Sequence, residues 1–275
     1  MSVAEWLALI TSELKGVVER PRREAQLLIM ALLNKDELWL MTHESESIAE
    51  GKKLASWVER RKQNQPMEYI TNRVSFYSQE FPIEEGALIP RPETELLIDE
   101  VLAIADKDRE ITIVEVGVGS GIISTVLAQE LPKAKIIAVD ISPEALKVAR
   151  KNIEAFGLGE RIELRQGDLL EPISEKIDIL VSNPPYIADG EPLESNLDYE
   201  PDLALFGGTI GDEIIQRLLD ETLAREIPVF ACEMGYDQKP KVEKYLDNRY
   251  DELKFYKDLA GHDRGFVLKG KKHDS

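Results

Sequence analysis

From Ile111 to Glu233 the chain repeats one pattern: a short β-branched run, a turn, then a stretch with apolar residues at helical spacing. The runs fall near 111–116, 135–140, 161–166, 177–182 and 227–233, with helices expected near 121–131, 143–156, 211–225 and 238–247. Strands that read as nearly continuous apolar runs are buried on both faces, which requires a parallel sheet covered by helices on each side. A final strand pair is expected near 252–258 and 264–269, separated by Leu259-Ala260-Gly261-His262-Asp263. The expected fold class is therefore α/β, a doubly wound Rossmann-like sheet. Such sheets bind ligands in the crevice outside the carboxyl ends of their strands.

What precedes the sheet has a different character. Residues 1–65 read as a small N-terminal helical bundle of four short helices. Val3, Leu7, Ile10 and Leu14 share one helical face, Pro21 suits a first helical position, and Ala25, Leu28, Ile29 and Leu32 continue a second stripe. Ser47-Ile48-Ala49-Glu50 has the form of a capping box for a further helix. Residues 66–90, with Tyr69, Ile70, Val74, Phe76, Tyr77, Phe81 and Ile83 among turn formers, read as a β-hairpin linker, and 91–275 as the sheet domain. In Leu88-Ile89-Pro90-Arg91-Pro92-Glu93-Thr94-Glu95, two prolines fix the entry to a helix beginning near Glu93. Its acidic first turn suits the helix dipole, so capping accounts for Glu93 and Glu95. Nothing local accounts for Arg91, which makes it a candidate site residue.

The strand ends carry the chemistry. The first closes with Glu115-Val116-Gly117-Val118-Gly119-Ser120-Gly121, where glycines permit positive φ and close approach of a ligand to the backbone. The third glycine of the dinucleotide fingerprint would fall on Ile122, which disfavours a pyrophosphate-bearing cofactor. The next strand ends at Asp140, followed by Ile141, where ribose hydroxyls would be gripped; the alternative is an acid facing the helix that starts at Ser142-Pro143. The third ends at Asp168-Leu169, able to hydrogen-bond an adenine amino group and cover its ring, or simply to make a turn. Gly-rich, acidic and acidic turns in succession suit a nucleoside with no phosphates to neutralise, namely S-adenosyl-L-methionine. The fourth strand leads into Ser182-Asn183-Pro184-Pro185-Tyr186. Each proline fixes φ near −65° and lacks an N–H, so the Asn183 carboxamide and a neighbouring carbonyl can both face outward as acceptors. That arrangement suits a planar group carrying two N–H bonds.

Charge narrows the partners. A net charge of −18 opposes non-specific nucleic-acid binding, which depends on Lys and Arg neutralising phosphates. One cysteine, Cys232, excludes an internal disulfide, and three histidines with it offer no metal-ligand spacing. No apolar run approaches the roughly 20 residues that span a bilayer. The N-terminus lacks a signal-peptide layout, so a cytoplasmic location without membrane contact is expected.

Taken with Pro66–Thr71, Glu200-Pro201, Leu203–Gly208, Glu233-Met234-Gly235 and Asp258–Gly261, these motifs span nearly the whole chain. The chain resembles the peptide chain release factor glutamine methyltransferases, in the seven-stranded S-adenosylmethionine-dependent methyltransferase class. The resemblance implies methyl transfer to the side-chain amide nitrogen of the glutamine in the Gly-Gly-Gln loop of class I release factors. It implies a catalytic set of Asn183, Pro184 and Tyr186, with Tyr186 forming an apolar wall. It also implies a cofactor site of Glu115, Gly117, Val118, Gly119, Ser120, Gly121, Asp140, Ile141, Asp168, Leu169 and Asn183, and substrate contacts from Asn183 through Tyr186, Pro185 included, together with Arg91 and Glu93. The helical N-terminal domain would be the substrate-recognition module. Asn-Pro-Pro-Tyr is shared with DNA adenine-amino methyltransferases, an alternative that the charge opposes. The ribosomal-protein glutamine methyltransferases, a second alternative, diverge at Arg91–Glu95. Four positions depart from the family pattern: Glu115, Asn72, Asp202 and His262.

Overall fold

The computed structural model describes residues 1–193 and 197–270, which form two compact units. The first comprises Met1–Arg73 with Leu193 and Leu197–Tyr199. Its helices are α1 (Val3–Glu13), α2 (Pro21–Leu33), α3 (Glu37–Thr42), α4 (Gly51–Lys62) and α5 (Met67–Thr71). Ile10, Leu14, Leu28, Ile29 and Leu54 are wholly buried at its centre, as the helical stripes predict, and Ile70 joins them. Tyr199 belongs here through its hydroxyl, which donates to the Gln63 carbonyl at 2.7 Å.

Two local expectations are corrected in this unit. The capping box lies at Ser2 and Glu5, where Glu5 N–H donates to Ser2 Oγ at 3.2 Å and Ser2 N–H to Glu5 Oε2 at 2.8 Å. Ser47 pairs instead with Ser2 in an isolated bridge, Ile48 N–H donates to the Met1 carbonyl, and α4 starts after Glu50 without a side-chain cap. The backbone at 47–48 is thus committed to the N-terminal strand-like pairing. Tyr69 and Ile70 lie in α5 and not in a hairpin, because Pro66 opens a helical turn that ends at Asn72. Asn72 is left-handed at φ 56, a conformation that Asn tolerates, which is why Asn can stand where the family pattern has Gly.

Among the described residues, the second unit contains Val74–Pro192 and Glu200–Gly270. The hairpin strands β1 (Arg73–Phe76) and β2 (Gln79–Pro82) are followed by α6 (Thr94–Ile104), β3 (Thr112–Val116), α7 (Ile122–Glu130), β4 (Lys135–Asp140), α8 (Pro143–Ala155), β5 (Ile162–Gln166) and β6 (Ile179–Ser182). Then come β7 (Ile187–Ala188), α9 (Asp202–Leu205), β8 (Phe206–Gly208), α10 (Glu213–Ala224), β9 (Val229–Glu233), α11 (Lys239–Leu246), β10 (Glu252–Lys257) and β11 (Asp263–Lys269). The sheet is seven-stranded in the order β10-β11-β9-β6-β3-β4-β5, parallel except for β11, which runs antiparallel to both neighbours. The expected doubly wound α/β architecture is what the chain adopts. Val114, Leu180, Phe230 and Phe266 are fully buried, and the last two rings meet edge to face at 5.5 Å.

The chain builds β3, β4 and β5 outward in one direction, then returns to place β6 on the other side of β3. The order therefore reverses between β3 and β6, where Val116 pairs with Ser182. That switch point is where helices depart to opposite faces and leave a crevice. Capping does not explain the acids before and within α6. Glu93 makes no side-chain cap, and Glu95 Oε1 accepts from Tyr77 N–H at 2.7 Å, tying the β1–β2 turn to the helix.

Candidate active site

Four strand ends converge on one cavity of about 310 Å³, lined by residues of the second unit. The end of β3 and the turn after it supply Glu115 through Ser120, with Gly117, Gly119 and Gly121 at φ 73, 51 and 76. A Cβ at Gly121 would lie 2.9 Å from both Cα and Cβ of Ala149, so the turn packs on α8 only because that atom is missing. Gly121 stands behind the wall, and the other predicted cofactor residues line it. Asp140 ends β4 and fixes the turn: its Oδ2 accepts from Gly119 N–H and its Oδ1 from Ser142 N–H, each at 2.9 Å. The structure shows the second sequence reading, an acid facing the start of α8, and each carboxylate oxygen keeps a further lone pair. Burial pushes its carboxyl above the ordinary carboxylate value, and the backbone N–H donors oppose that shift.

Glu115 is 1% exposed, takes a short hydrogen bond from the Ser124 hydroxyl on Oε2, and lines the cavity. Its Oε1 is buried with no hydrogen-bond partner among the described residues. Burial pushes this carboxyl up to about 8, and the Ser124 hydroxyl partly counters it. Beyond β5, Leu169 and Asp168 line the far end, where Asp168 Oδ2 takes a 2.6 Å ion pair from Arg217. Arg217 was not legible from its helical context and joins the wall only through the fold.

After β6, Asn183, Pro184 and Pro185 form the near wall. Asn183 Nδ2 donates to Thr94 Oγ1 at 3.1 Å, and Thr94 in turn donates to Glu233 Oε2 at 2.7 Å. The carboxamide orientation follows from that network, which leaves Oδ1 as the atom not held by it. Gln238 Nε2 donates to the Tyr186 carbonyl at 3.2 Å, while no donor reaches the Pro184 carbonyl among the described residues. Tyr186 does not line the cavity. Burial pushes its phenol up to about 12, and the nearby Glu233 adds to the shift.

Arg91 and Glu93 do not line the cavity either. Arg91 has a structural partner that sequence reading could not supply, a 2.6 Å ion pair to Glu200, whose side chain is 1% exposed and also accepts from Ile89 N–H at 3.0 Å. Glu93 lies 3.7 Å from Arg264. Asp202, at the start of α9, is exposed, and the His262 ring meets Tyr236 edge to face at 5.9 Å. Among the described residues no His, Cys, Asp and Glu cluster could hold a metal ion, and no helix is long and apolar enough to cross a membrane.

The donor set suits a neutral-to-cationic nucleoside. A backbone-lined glycine turn, two strand-end carboxylates and one orphaned carboxylate oxygen surround the space, and the one cationic side chain among the described lining residues, Arg217, is already paired. A family model named Methyltransferase small domain matches residues 92–197, and another, PrmC N-terminal domain, matches residues 5–71. A release factor glutamine methyltransferase of Koribacter versatilis (strain Ellin345) is 38% identical over 264 residues, covering 93% of this chain and 92% of that protein. The protein of that name from Dictyoglomus turgidum is 39% identical over 249 residues, covering 88% of each. Among solved structures, the catalytic domain of human Mettl16, crystallised with an RNA hairpin, superimposes with a TM-score of 0.57 at 14% identity over 81% of each chain, a likeness of fold.

Proposed function

The chain belongs to the release factor glutamine methyltransferase family, and on that premise we propose that it transfers a methyl group from S-adenosyl-L-methionine to the side-chain amide nitrogen of the glutamine in the Gly-Gly-Gln loop of class I peptide chain release factors. The observation that carries this reading is the placing of Asn183 and Pro184 at the β6 end, in the wall of the cavity floored by the glycine turn.

The cofactor, when bound, supplies an electrophilic methyl on a sulfonium. The turn from Gly117 to Ser120 would hold it by backbone, Asp140 by its spare lone pairs toward ribose hydroxyls, and Leu169 and Asp168 at the adenine end. Glu115 Oε1 is the acceptor on offer to a cationic group. The orphaned oxygen, costly to bury without a partner, fits such a ligand.

An amide nitrogen is a poor nucleophile because its lone pair is delocalised into the carbonyl. Asn183 Oδ1 and the Pro184 carbonyl accept its two N–H bonds in one plane, which raises electron density on the nitrogen and aims it. No base is needed before attack, since the methylated amide sheds its proton afterwards to a main-chain acceptor or water. Positioning of this kind contributes roughly 7–11 kcal/mol in well-oriented cases. Pro185 stiffens the strand end, and Tyr186 lies outside the cavity lining, near Glu233. Residues 1–65 serve as the recognition module for a protein too large for the cavity, 66–90 as the linker and 91–275 as the catalytic domain.

The test is Asn183→Ala with purified release factor. Turnover should fall at least ~100-fold, the usual cost of a lost preorganised polar contact, with cofactor affinity changed less than about threefold. Near-normal turnover overturns the acceptor role.

A further inference from the structure

Two motif residues have no part in the chemistry above: Thr94, inside Arg91-Pro92-Glu93-Thr94-Glu95, and Glu233, the last residue of β9. Both are 2% exposed. They come from elements far apart in sequence and meet beside Asn183, Thr94 in the cavity lining and Glu233 outside it, because β6 delivers Asn183 next to β9 through the pairing of Ser182 with Cys232. The hydrogen bonds run in one direction, from Asn183 Nδ2 to Thr94 Oγ1 at 3.1 Å and from the Thr94 hydroxyl to Glu233 Oε2 at 2.7 Å.

A carboxylate can only accept, so Thr94 must direct its single proton to Glu233. Its oxygen is then free only to accept, and the one partner it can take from the Asn183 side is the Nδ2 amino group. We propose that Thr94 and Glu233 are positioning residues: the acceptor-only carboxylate sets the direction of the chain, and the chain holds the Asn183 carboxamide with Oδ1, not Nδ2, toward the substrate amide. This rests on the function proposed above. A reversed carboxamide would offer a donor to the substrate N–H bonds, replacing attraction by repulsion at the point where aim matters.

The surroundings of Glu233 fit a group kept close to its switching point. Burial pushes its carboxyl up to about 7, the Thr94 hydroxyl opposes that, Glu93 at the start of α6 adds to it, and Arg264 in β11 and the Asn183 carboxamide oppose it. Tyr186, Tyr256 of β10 and the neighbouring Cys232 are the other titratable groups that face it, and burial keeps all three neutral near pH 7. Protonation below about 7 gives Glu233 a donor of its own and removes the reason for a single direction.

The experiment compares Thr94→Val, Thr94→Ser, Glu233→Gln and Asn183→Ala in the full chain with purified release factor. Thr94→Val and Glu233→Gln should each lower kcat ~10–100-fold, the worth of one charge-assisted hydrogen bond, with KM for release factor and cofactor Kd within about threefold. Thr94→Ser should recover most of that loss. The acid limb of kcat near pH 7 should vanish in Glu233→Gln, and adding Thr94→Val to Asn183→Ala should cost nothing further, because the pair acts as a unit. In NMR spectra, the Asn183 side-chain amide, identified by its loss in Asn183→Ala, should exchange with solvent at least ~10-fold faster in Thr94→Val than in the parent. Parent turnover with normal kcat in both Thr94→Val and Glu233→Gln overturns the inference. A parent that methylates no release factor overturns the proposed function instead, and the exchange rates then decide the positioning on their own: equal rates in parent and Thr94→Val sink it.

Discussion

Asp140→Asn is the sharpest probe of the cofactor end, because the substitution keeps shape and removes one acceptor. In the parent both carboxylate oxygens are engaged, one by Gly119 N–H and one by Ser142 N–H, each at 2.9 Å. The carboxamide can satisfy only one of them, and its amino group meets the other donor head on. A hydrogen bond to a charged group contributes about 1.5–3 kcal/mol, and the orphaned N–H adds its own desolvation cost. Against this, the neutral side chain is easier to bury, since burial already pushes the Asp140 carboxyl above its ordinary value. The two effects leave a net loss of about 1–2 kcal/mol in the stability of the free protein. Cofactor affinity should suffer more, ~10–100-fold, because the turn at Gly119 loses its anchor and the ribose loses an acceptor together. Calorimetric titration with S-adenosylhomocysteine gives the Kd, and urea unfolding without ligand gives the stability. A Kd within twofold of the parent alongside the expected stability loss would show Asp140 to be a bolt between two turns and no part of the nucleoside site.

Gly121→Ala should destabilise by about 2–4 kcal/mol, the left-handed backbone and the added methyl each contributing about 1–2; the methyl would stand 2.9 Å from Ala149, and a urea-unfolding loss below about 1 kcal/mol contradicts the packing argument. Arg91→Ala leaves the almost fully buried Glu200 without its cation and should cost about 3 kcal/mol when thermal unfolding is compared, only partly restored in the Arg91→Met, Glu200→Met double variant because Ile89 N–H then loses its acceptor. Glu115 makes stability depend on pH. Its carboxyl moves from 4.5 to about 8 on folding, so its contribution is full below 4.5 and is lost as pH rises through about 8. Glu115→Gln should therefore show a flatter melting temperature from pH 5 to 9 and exceed the parent at the alkaline end; parallel curves refute the assignment.

The sheet was readable because buried parallel strands leave an apolar run in the sequence that few other environments require, and each of the five long runs became a strand. The positions of Asp140, Asp168 and Asn183 followed, since strand ends in such a sheet share one edge. What the sequence hid was partnership. Arg91 has no signal pointing to Glu200, nor Thr94 to Glu233, because long-range ion pairs and relays have no period. The short strands β7 and β8 and the four-residue α9 are likewise too brief to carry a pattern. Glu95 is the first-turn acid that the local dipole rule expects, but that rule says nothing of the Tyr77 backbone N–H that its carboxylate also holds. Resemblance carried the choice of glutamine over adenine, and the residues themselves carried only a rigid pair of acceptors.

The most direct test of the whole account is to incubate the protein with methyl-labelled S-adenosylmethionine and a purified class I release factor, then map the label by peptide mass spectrometry. One methyl is expected on the side-chain nitrogen of the glutamine in the Gly-Gly-Gln loop, absent with Asn183→Ala and absent when duplex DNA replaces the release factor. Label on duplex DNA with an unmodified release factor, or label on the glutamine undiminished in Asn183→Ala, would contradict it.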